Sequence, residues 1–336
     1  MNSLAQVADI QAQAISTGHL PPAERVRALV REAYERFRGN DTGKNADYYP
    51  ALAQLPRHLF GVCVAGTDGE LAAAGDVDVP FTIMSIAKPF VFALACQALG
   101  PEDVRAKIGV NATGMPFNSV AAVERHPQRL SNPMVNSGAI AATSLVPGTT
   151  ADAKWDAIRD GLSRMAGRPL ALNEEVYASA SASNHRNRAL AQFLEGYGRI
   201  YFDALATLDV YTRQSSLEVT ARDLAVMAAT LANGGVNPVT GVRAIDAAVI
   251  KPVLAVMATA GLYESSGDWL YDIGLPGKSG VGGGIIAVAP GKGGLGTFAP
   301  PLDAAGNSVR GQLAARFLSE LLGLSLFASK PSSAVP

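Results

Sequence analysis

The chain has 336 residues, 48% of them apolar and 17% charged, with 28 basic against 29 acidic side chains and a net charge of −1. That balance excludes a disordered or highly solvated chain and favours a large buried core. It leaves no global field to draw the protein to nucleic acid or an anionic membrane, and the 34 glycines show no three-residue period that would mark collagen.

In chain order, Pro21–Gly39 reads as an amphipathic helix with Val26, Leu29, Val30 and Tyr34 on one face and Gly39 as its C-cap. Leu59–Ala65 reads as a strand that ends at the turn Thr67-Asp68-Gly69 and is followed by a second short strand, so the pair suggests a hairpin. Pro80–Ser85 leads into a strongly apolar helix, Ile86–Leu99, closed by Gly100. From Pro101 to Gly267 helical patterns alternate with loops rich in Gly, Asn and Pro. The clearest is Thr220–Asn233, with Thr220 as cap and Asp223 in its first turn. Gly283–Pro290 and Gly294–Ala299 read as two strands joined by a glycine turn. Arg310–Leu324 follows as an amphipathic helix, and Ser329–Pro336 as a frayed tail. Strand signals at both ends with a long helical block between them predict one α/β domain over 1–330. Its sheet part covers about 1–84 and 274–330, its helical part about 85–273, and 331–336 is tail.

Two cysteines, Cys63 and Cys96, are too few for a disulfide framework or a metal cluster and read as buried thiols in a reduced compartment. The histidines, His19, His58, His126 and His185, lack ligand spacing, which argues against a zinc site and against a histidine-based hydrolase. Met1–Gln13 lacks the basic start and apolar core of a signal peptide. Phe90–Leu99 and Gly284–Pro290 are too short to cross a bilayer. The expectation is a cytoplasmic protein with no membrane or nucleic-acid partner and no cofactor.

Two constellations could carry chemistry. In Ser85-Ile86-Ala87-Lys88 a serine at a helix start has a lysine one turn on, so both side chains face the same way. The helix N-terminus offers N–H groups to a developing oxyanion, and a buried amine could take the serine proton. A capped helix with a surface lysine is the plainer alternative, but Pro89 and the run Phe-Val-Phe-Ala-Leu-Ala mark a buried helix, where a lysine needs a reason. The second constellation is Lys278-Ser279-Gly280 ahead of Val281 and a strand. With the upstream Ser-x-x-Lys it follows the chain order of serine β-lactamases and penicillin-binding proteins, with the strand edge opposite the serine and Lys278 supplying positive charge. A third pattern, Gly291-Lys292-Gly293-Gly294-Leu295-Gly296, satisfies G-x-G-x-x-G. Thr-Phe-Ala-Pro-Pro follows instead of a helix, so it reads as a hairpin turn and not a nucleotide site.

Together these residues resemble the serine-dependent glutaminases of bacteria and mitochondria, which share the β-lactamase/DD-peptidase-like fold. The matching motifs run from Ala46 to Gly311: Ala-Asp-Tyr48-Tyr-Pro, Val-Pro-Phe81-Thr-Ile-Met-Ser85-Ile-Ala-Lys88, Phe117-Asn-Ser, Asn132-Pro-Met-Val-Asn136-Ser-Gly-Ala-Ile, Arg186-Asn187, Leu208-Asp-Val-Tyr211, Gly261-Leu-Tyr263, Gly274-Leu-Pro-Gly-Lys-Ser-Gly-Val281 and Pro300-Pro-Leu-Asp-Ala-Ala-Gly-Asn-Ser308. The resemblance implies hydrolysis of the glutamine side-chain amide, with Ser85 as nucleophile and Lys88 as its base. It implies backbone N–H groups of Ser85 and Val281 as the oxyanion hole, and Tyr211 and Tyr263 as proton relays. Tyr48, Asn136 and Asn187 would hold the amino-acid end of the substrate. A homodimer or homotetramer is expected.

Three positions depart from the family pattern. Where the family has a glutamate, seven residues before the asparagine of Arg186-Asn187, this chain has Ala180. That glutamate meets the substrate's α-ammonium in the family. An ammonium left without it would lose on the order of hundreds-fold in kcat/KM. Glu174 and Glu175 are nearby and read as solvated. Met84 replaces a glutamine beside the nucleophile, and Ser215 replaces a cysteine with nearly the same shape. The acyl-transfer machinery is whole while the substrate-holding shell is altered, which implies a weakened or shifted preference for glutamine. Two alternatives stay open: a β-lactamase- or esterase-like serine hydrolase on the same scaffold, and a catalytically impaired member that binds a metabolite.

Overall fold

The computed structural model describes residues 18–329. The readings of Met1–Gln13 and of the tail at 331–336 lie outside the described residues. Five strands form one antiparallel sheet: β1 (Gly61–Gly66), β2 (Leu71–Gly75), β5 (Gly277–Ser279), β6 (Gly284–Ala289) and β7 (Gly293–Phe298), in the order β2-β1-β7-β6-β5. The hairpins β1–β2 and β6–β7 come from opposite ends of the chain and meet where β1 pairs with β7, Gly61 opposite Phe298 and Gly66 opposite Gly293. The expected sheet built from both chain ends is therefore present.

Both faces of this sheet are covered, which is why its central strands are continuously buried and not alternately wet. Side chains alternate across a strand. Val62, Val64, Ile285, Ala287 and Ala289 pack in one core, with the helices Ala23–Phe37 and Val309–Leu321. Cys63, Ala65, Ile286 and Val288 enter the other core, with the helices Ala87–Leu99 and Ala221–Ala232. The Ala23–Phe37 helix buries Val26, Leu29, Val30, Ala33 and Phe37; Tyr34 of the expected face stacks on Phe60 at 5.6 Å. The Ala221–Ala232 helix starts at a capping box. Thr220 Oγ1 accepts from the Asp223 N–H at 3.1 Å, and Asp223 Oδ2 accepts from the Thr220 N–H at 2.8 Å.

The block between the two hairpins is mostly helical but not wholly so. A two-residue strand, β4 (Glu218–Val219), pairs with β3 (Phe81–Thr82), and the Ile83 N–H donates to the Leu217 carbonyl at 2.9 Å. This small sheet fixes the chain just ahead of Ser85. Sequence alone offers no signal for two residues whose pairing is wholly tertiary. The expected helix at Ile86 begins one residue later, at Ala87, because Met84–Ile86 winds as a 3-10 turn. No single helix among the described residues is long and apolar enough to cross a membrane.

Candidate active site

Ser85 is the one partly open residue in the buried run from Phe81 to Cys96. Met84, next to it, holds a positive φ of 49°, as does Tyr263 at 54°. Such a backbone costs a non-glycine residue on the order of 1 kcal/mol or more and persists where the surroundings over-determine it. Here the β3–β4 pairing ahead of Met84 supplies the constraint. The strained turn points Ser85 into a cavity of about 140 Å³ whose walls also include Tyr48, Asn136, Asn187, Tyr211 and Val281. Residues far apart in the chain, named from motifs, therefore share one pocket. A larger surface cavity of about 360 Å³, beside Arg105 and His126, contains none of them.

Lys88 lies beneath the pocket, 2% exposed. Its amine donates to Asn136 Oδ1 at 2.7 Å and to the Met134 carbonyl at 3.4 Å. Among the described residues no carboxylate offsets its charge, and burial pulls its pKa down to about 7. Asn136 is the hub of the polar network: its Oδ1 also accepts from the Tyr211 hydroxyl at 3.3 Å, and its Nδ2 donates to Asn187 Oδ1 at 2.9 Å. It opens the fully buried helix Asn136–Leu145, and its own N–H donates to the Phe117 carbonyl at 2.8 Å. The sequence reading gave Asn136 a place at the substrate and missed its hold on Lys88.

Tyr263 is not on the pocket wall. It sits behind Ser85, hydrogen-bonded to that side chain, and its hydroxyl also donates to the Ser279 carbonyl at 3.2 Å. Burial raises the Tyr263 and Tyr211 hydroxyls well above the ordinary tyrosine range, and the bond to Ser85 partly offsets this for Tyr263. Both are therefore neutral hydroxyls, able to donate and to accept.

The Lys278-Ser279-Gly280 triplet departs from the expected geometry. Lys278 and Ser279 do not precede a strand; they form β5 itself, paired to β6 with Lys278 opposite Ile286. Lys278 is fully buried and its amine donates to the carbonyls of Gly261 and Ser279, each at 2.8 Å, instead of charging the pocket wall. It lies 4.4 Å above the Tyr263 ring, and burial, then the charge of Lys88, holds its pKa well below the ordinary lysine value. The Ser279 hydroxyl is buried without a hydrogen-bond partner. Lys278 and Ser279 thus frame Tyr263, and Gly280 packs against the Ile83 carbonyl, where a Cβ would come within 2.9 Å.

Ala180 is buried on the Glu174–Ser183 helix and is not among the pocket residues, whereas Ser183 of the same helix is. Glu174 and Glu175 are exposed at the helix start. Met84 and Ser215 both line the pocket, and Ser215 Oγ donates to the Tyr211 carbonyl at 2.9 Å. Sequence reasoning missed Tyr49, Asn184 and Arg186 as lining residues. Tyr49 and Arg186 stand beside motif residues that it did name, and that adjacency was the available signal. No group of three or more His, Cys, Asp or Glu able to hold a metal occurs among the described residues.

An α/β protein with an antiparallel sheet and a polar pocket at the start of a buried helix is the class that the fold and site define. The glutaminase family model matches residues 43–327. Glutaminase 2 of Yersinia pestis is 62% identical over 317 residues, covering 94% of this chain and 93% of that protein. A glutaminase of Colwellia psychrerythraea is 48% identical over 307 residues, 91% of this chain and 99% of that protein. The solved structure of the probable glutaminase ybaS superposes with a TM-score of 0.90 at 45% identity, covering 91% of this chain and 99% of the other. The chain belongs to the glutaminase family.

Proposed function

We propose that this protein hydrolyses glutamine through an acyl-enzyme on Ser85. It is an amide hydrolase, and its products are glutamate and ammonia. Ser85 Oγ attacks the side-chain amide carbon while Lys88, neutral in part at pH 7, takes the hydroxyl proton. Backbone N–H groups of Ser85 and Val281 hold the developing oxyanion. The tetrahedral intermediate expels ammonia after a proton reaches its nitrogen through Tyr211 or Tyr263. Water then attacks the acyl-enzyme, gives its proton back along the same relay, and releases glutamate. Tyr48, Asn136 and Asn187 hold the amino-acid end of the substrate.

The observation that carries this reading is Ser85 at the pocket floor with an uncompensated lysine amine buried one turn on. The finer fold assignment, β-lactamase/DD-peptidase-like, is supported by the sheet from both chain ends, the helical block between, and the order Ser85, Lys88, Lys278-Ser279-Gly280. We take 1–330 as one catalytic unit acting on a small amide as a cytoplasmic homodimer or homotetramer, on the strength of the family resemblance. The relatives' identity favours this activity over a β-lactamase- or esterase-like one.

The test is ammonia release from glutamine, asparagine and N-substituted amides by the native enzyme and by Ser85→Ala. Release from glutamine that disappears in the variant is the expected result, and undiminished release in Ser85→Ala would overturn the mechanism.

A further inference from the structure

Tyr263 is buried, its hydroxyl bonds to Ser85, and its φ of 54° is one that a bulky residue holds only where the surroundings over-determine it. Part of that constraint is local. Tyr263–Ser265 winds as a 3-10 turn. Ser266 Oγ donates to the Tyr263 carbonyl at 2.8 Å and accepts from the Leu262 N–H at 3.0 Å. Ser265 Oγ donates to the Leu262 carbonyl at 3.0 Å.

The rest comes from Asn307, 42 residues beyond Ser265 in the chain. Asn307 is fully buried and closes a tight turn with Asp303. Its N–H donates to Asp303 Oδ1 at 2.9 Å, and its carbonyl accepts from the Asp303 N–H at 2.8 Å. From this anchor its Nδ2 donates to Ser265 Oγ at 2.8 Å and to the Leu262 carbonyl at 3.4 Å. Gly306 of the same turn lies along the edge of the Tyr263 ring, where a Cβ would stand 3.6 Å from Cε2. Asn307 Oδ1, in contrast, is buried with no hydrogen-bond partner among the described residues. A buried acceptor left unused lowers stability, so the contribution of this side chain lies in its donors. Both of those contacts fall on the turn that sets Tyr263.

Resting on Tyr263 as a proton relay in the reading above, we infer that Asn307 is a positioning residue of the reaction: through Ser265 and Leu262 it holds the turn that keeps the Tyr263 hydroxyl on Ser85. Asn307 is not among the residues lining the pocket, and Tyr263 stands behind Ser85, so loss of the Asn307 donors is felt in turnover and not in substrate binding.

The experiment measures kcat and KM for ammonia release from glutamine by the native enzyme, Asn307→Leu, Tyr263→Phe and the double variant. Asn307→Leu keeps the bulk of the side chain and removes its donors. It lowers kcat by about tenfold or more, as a displaced relay would, and leaves KM within about twofold. The double variant is no slower than Tyr263→Phe, because Asn307 reaches Ser85 only through Tyr263. Losses that multiply in the double variant would mark a general structural effect and overturn the inference, as would a folded Asn307→Leu with native kcat. Should Asn307→Leu not fold, Ser265→Ala decides, since it removes the hydroxyl that receives the Asn307 amide. A lowered kcat at unchanged KM supports the inference, and a native kcat defeats it. Failure of the relay reading shows separately: Tyr263→Phe then turns over glutamine at the native rate and the inference falls with it, whereas a slow Tyr263→Phe beside a native Asn307→Leu defeats the inference alone.

Discussion

Lys88 has no anionic partner among the described residues, and that single fact makes it useful. A lysine salt-bridged in the same place would stay protonated and could not accept the serine proton. Instead its hydrogen bonds go to neutral oxygens, Asn136 Oδ1 and the Met134 carbonyl, and burial lowers its pKa to about 7. The base must be neutral to act, and its neutral fraction rises with pH. We therefore expect kcat/KM to climb through pH about 7 and then level, measured across a profile from roughly pH 5 to 9. Lys88→Met lowers kcat/KM by about 10²–10⁴ and removes that rising limb. A variant keeping the same limb would assign the base to another group. The residue scale also shows what a motif cannot reveal. Ser85 and Lys88 were legible from spacing, but Asn136, which joins Lys88, Tyr211 and Asn187, is linked to them only by folding.

At the scale of elements, the glycine-rich run Gly291–Gly296 finds its explanation in packing. Strand β7 runs directly beneath the Ala221–Ala232 helix. A Cβ on Gly294 would lie 2.3 Å from the Ala229 nitrogen, and one on Gly296 would lie 2.3 Å from the Ala221 carbonyl oxygen. Both contacts are with helix backbone, which cannot step aside as a side chain can. The glycines let a helix approach a sheet closely, and the nucleotide pattern in them is coincidental, as the missing downstream helix already implied. We expect Gly296→Ala to destabilise the protein by about 2 kcal/mol or more, read as a lower midpoint in urea unfolding. An unchanged midpoint would show that the helix can retreat. The helix itself was legible from its caps, Thr220 and Asp223. By contrast, β4 and the 3-10 turn at Met84–Ile86 were not, because their conformations are set by pairing and strain at a distance.

The whole molecule is a sheet sealed on both faces, and this fixes the fate of its two thiols. Cys63 faces one core from β1, and Cys96 lies in the same core from the Ala87–Leu99 helix, both at most 1% exposed. Burial raises each to about 12, so neither forms a thiolate near neutral pH. Native protein is expected to show no reaction with a thiol reagent on the minutes scale, and both cysteines react once guanidinium unfolds it. Prompt labelling of native protein would mean that one core opens readily. The sealed architecture also explains the composition. A chain in which 17% of residues are charged has few side chains to spare, yet two lysines, Lys88 and Lys278, sit fully inside. Each is held by neutral oxygens, and burial pulls the pKa of each below the ordinary lysine value.

The sequence by itself determined the α/β class, the helix caps at Gly100 and Thr220, though not the one read at Gly39, where the helix is capped a residue earlier by Arg38, the two hairpins and the identity of most pocket residues. Each of these is carried by local periodicity, by turn chemistry or by a motif that names its own members. Tertiary structure alone decided that Lys278 and Ser279 frame Tyr263 and do not line the pocket. It also decided that Asn136 bridges the base to the pocket wall, and that Ala180 is buried on its helix and does not line the pocket. Those facts depend on which distant segments meet, and on what burial then does to a charge, and neither is written in the spacing of residues along a chain.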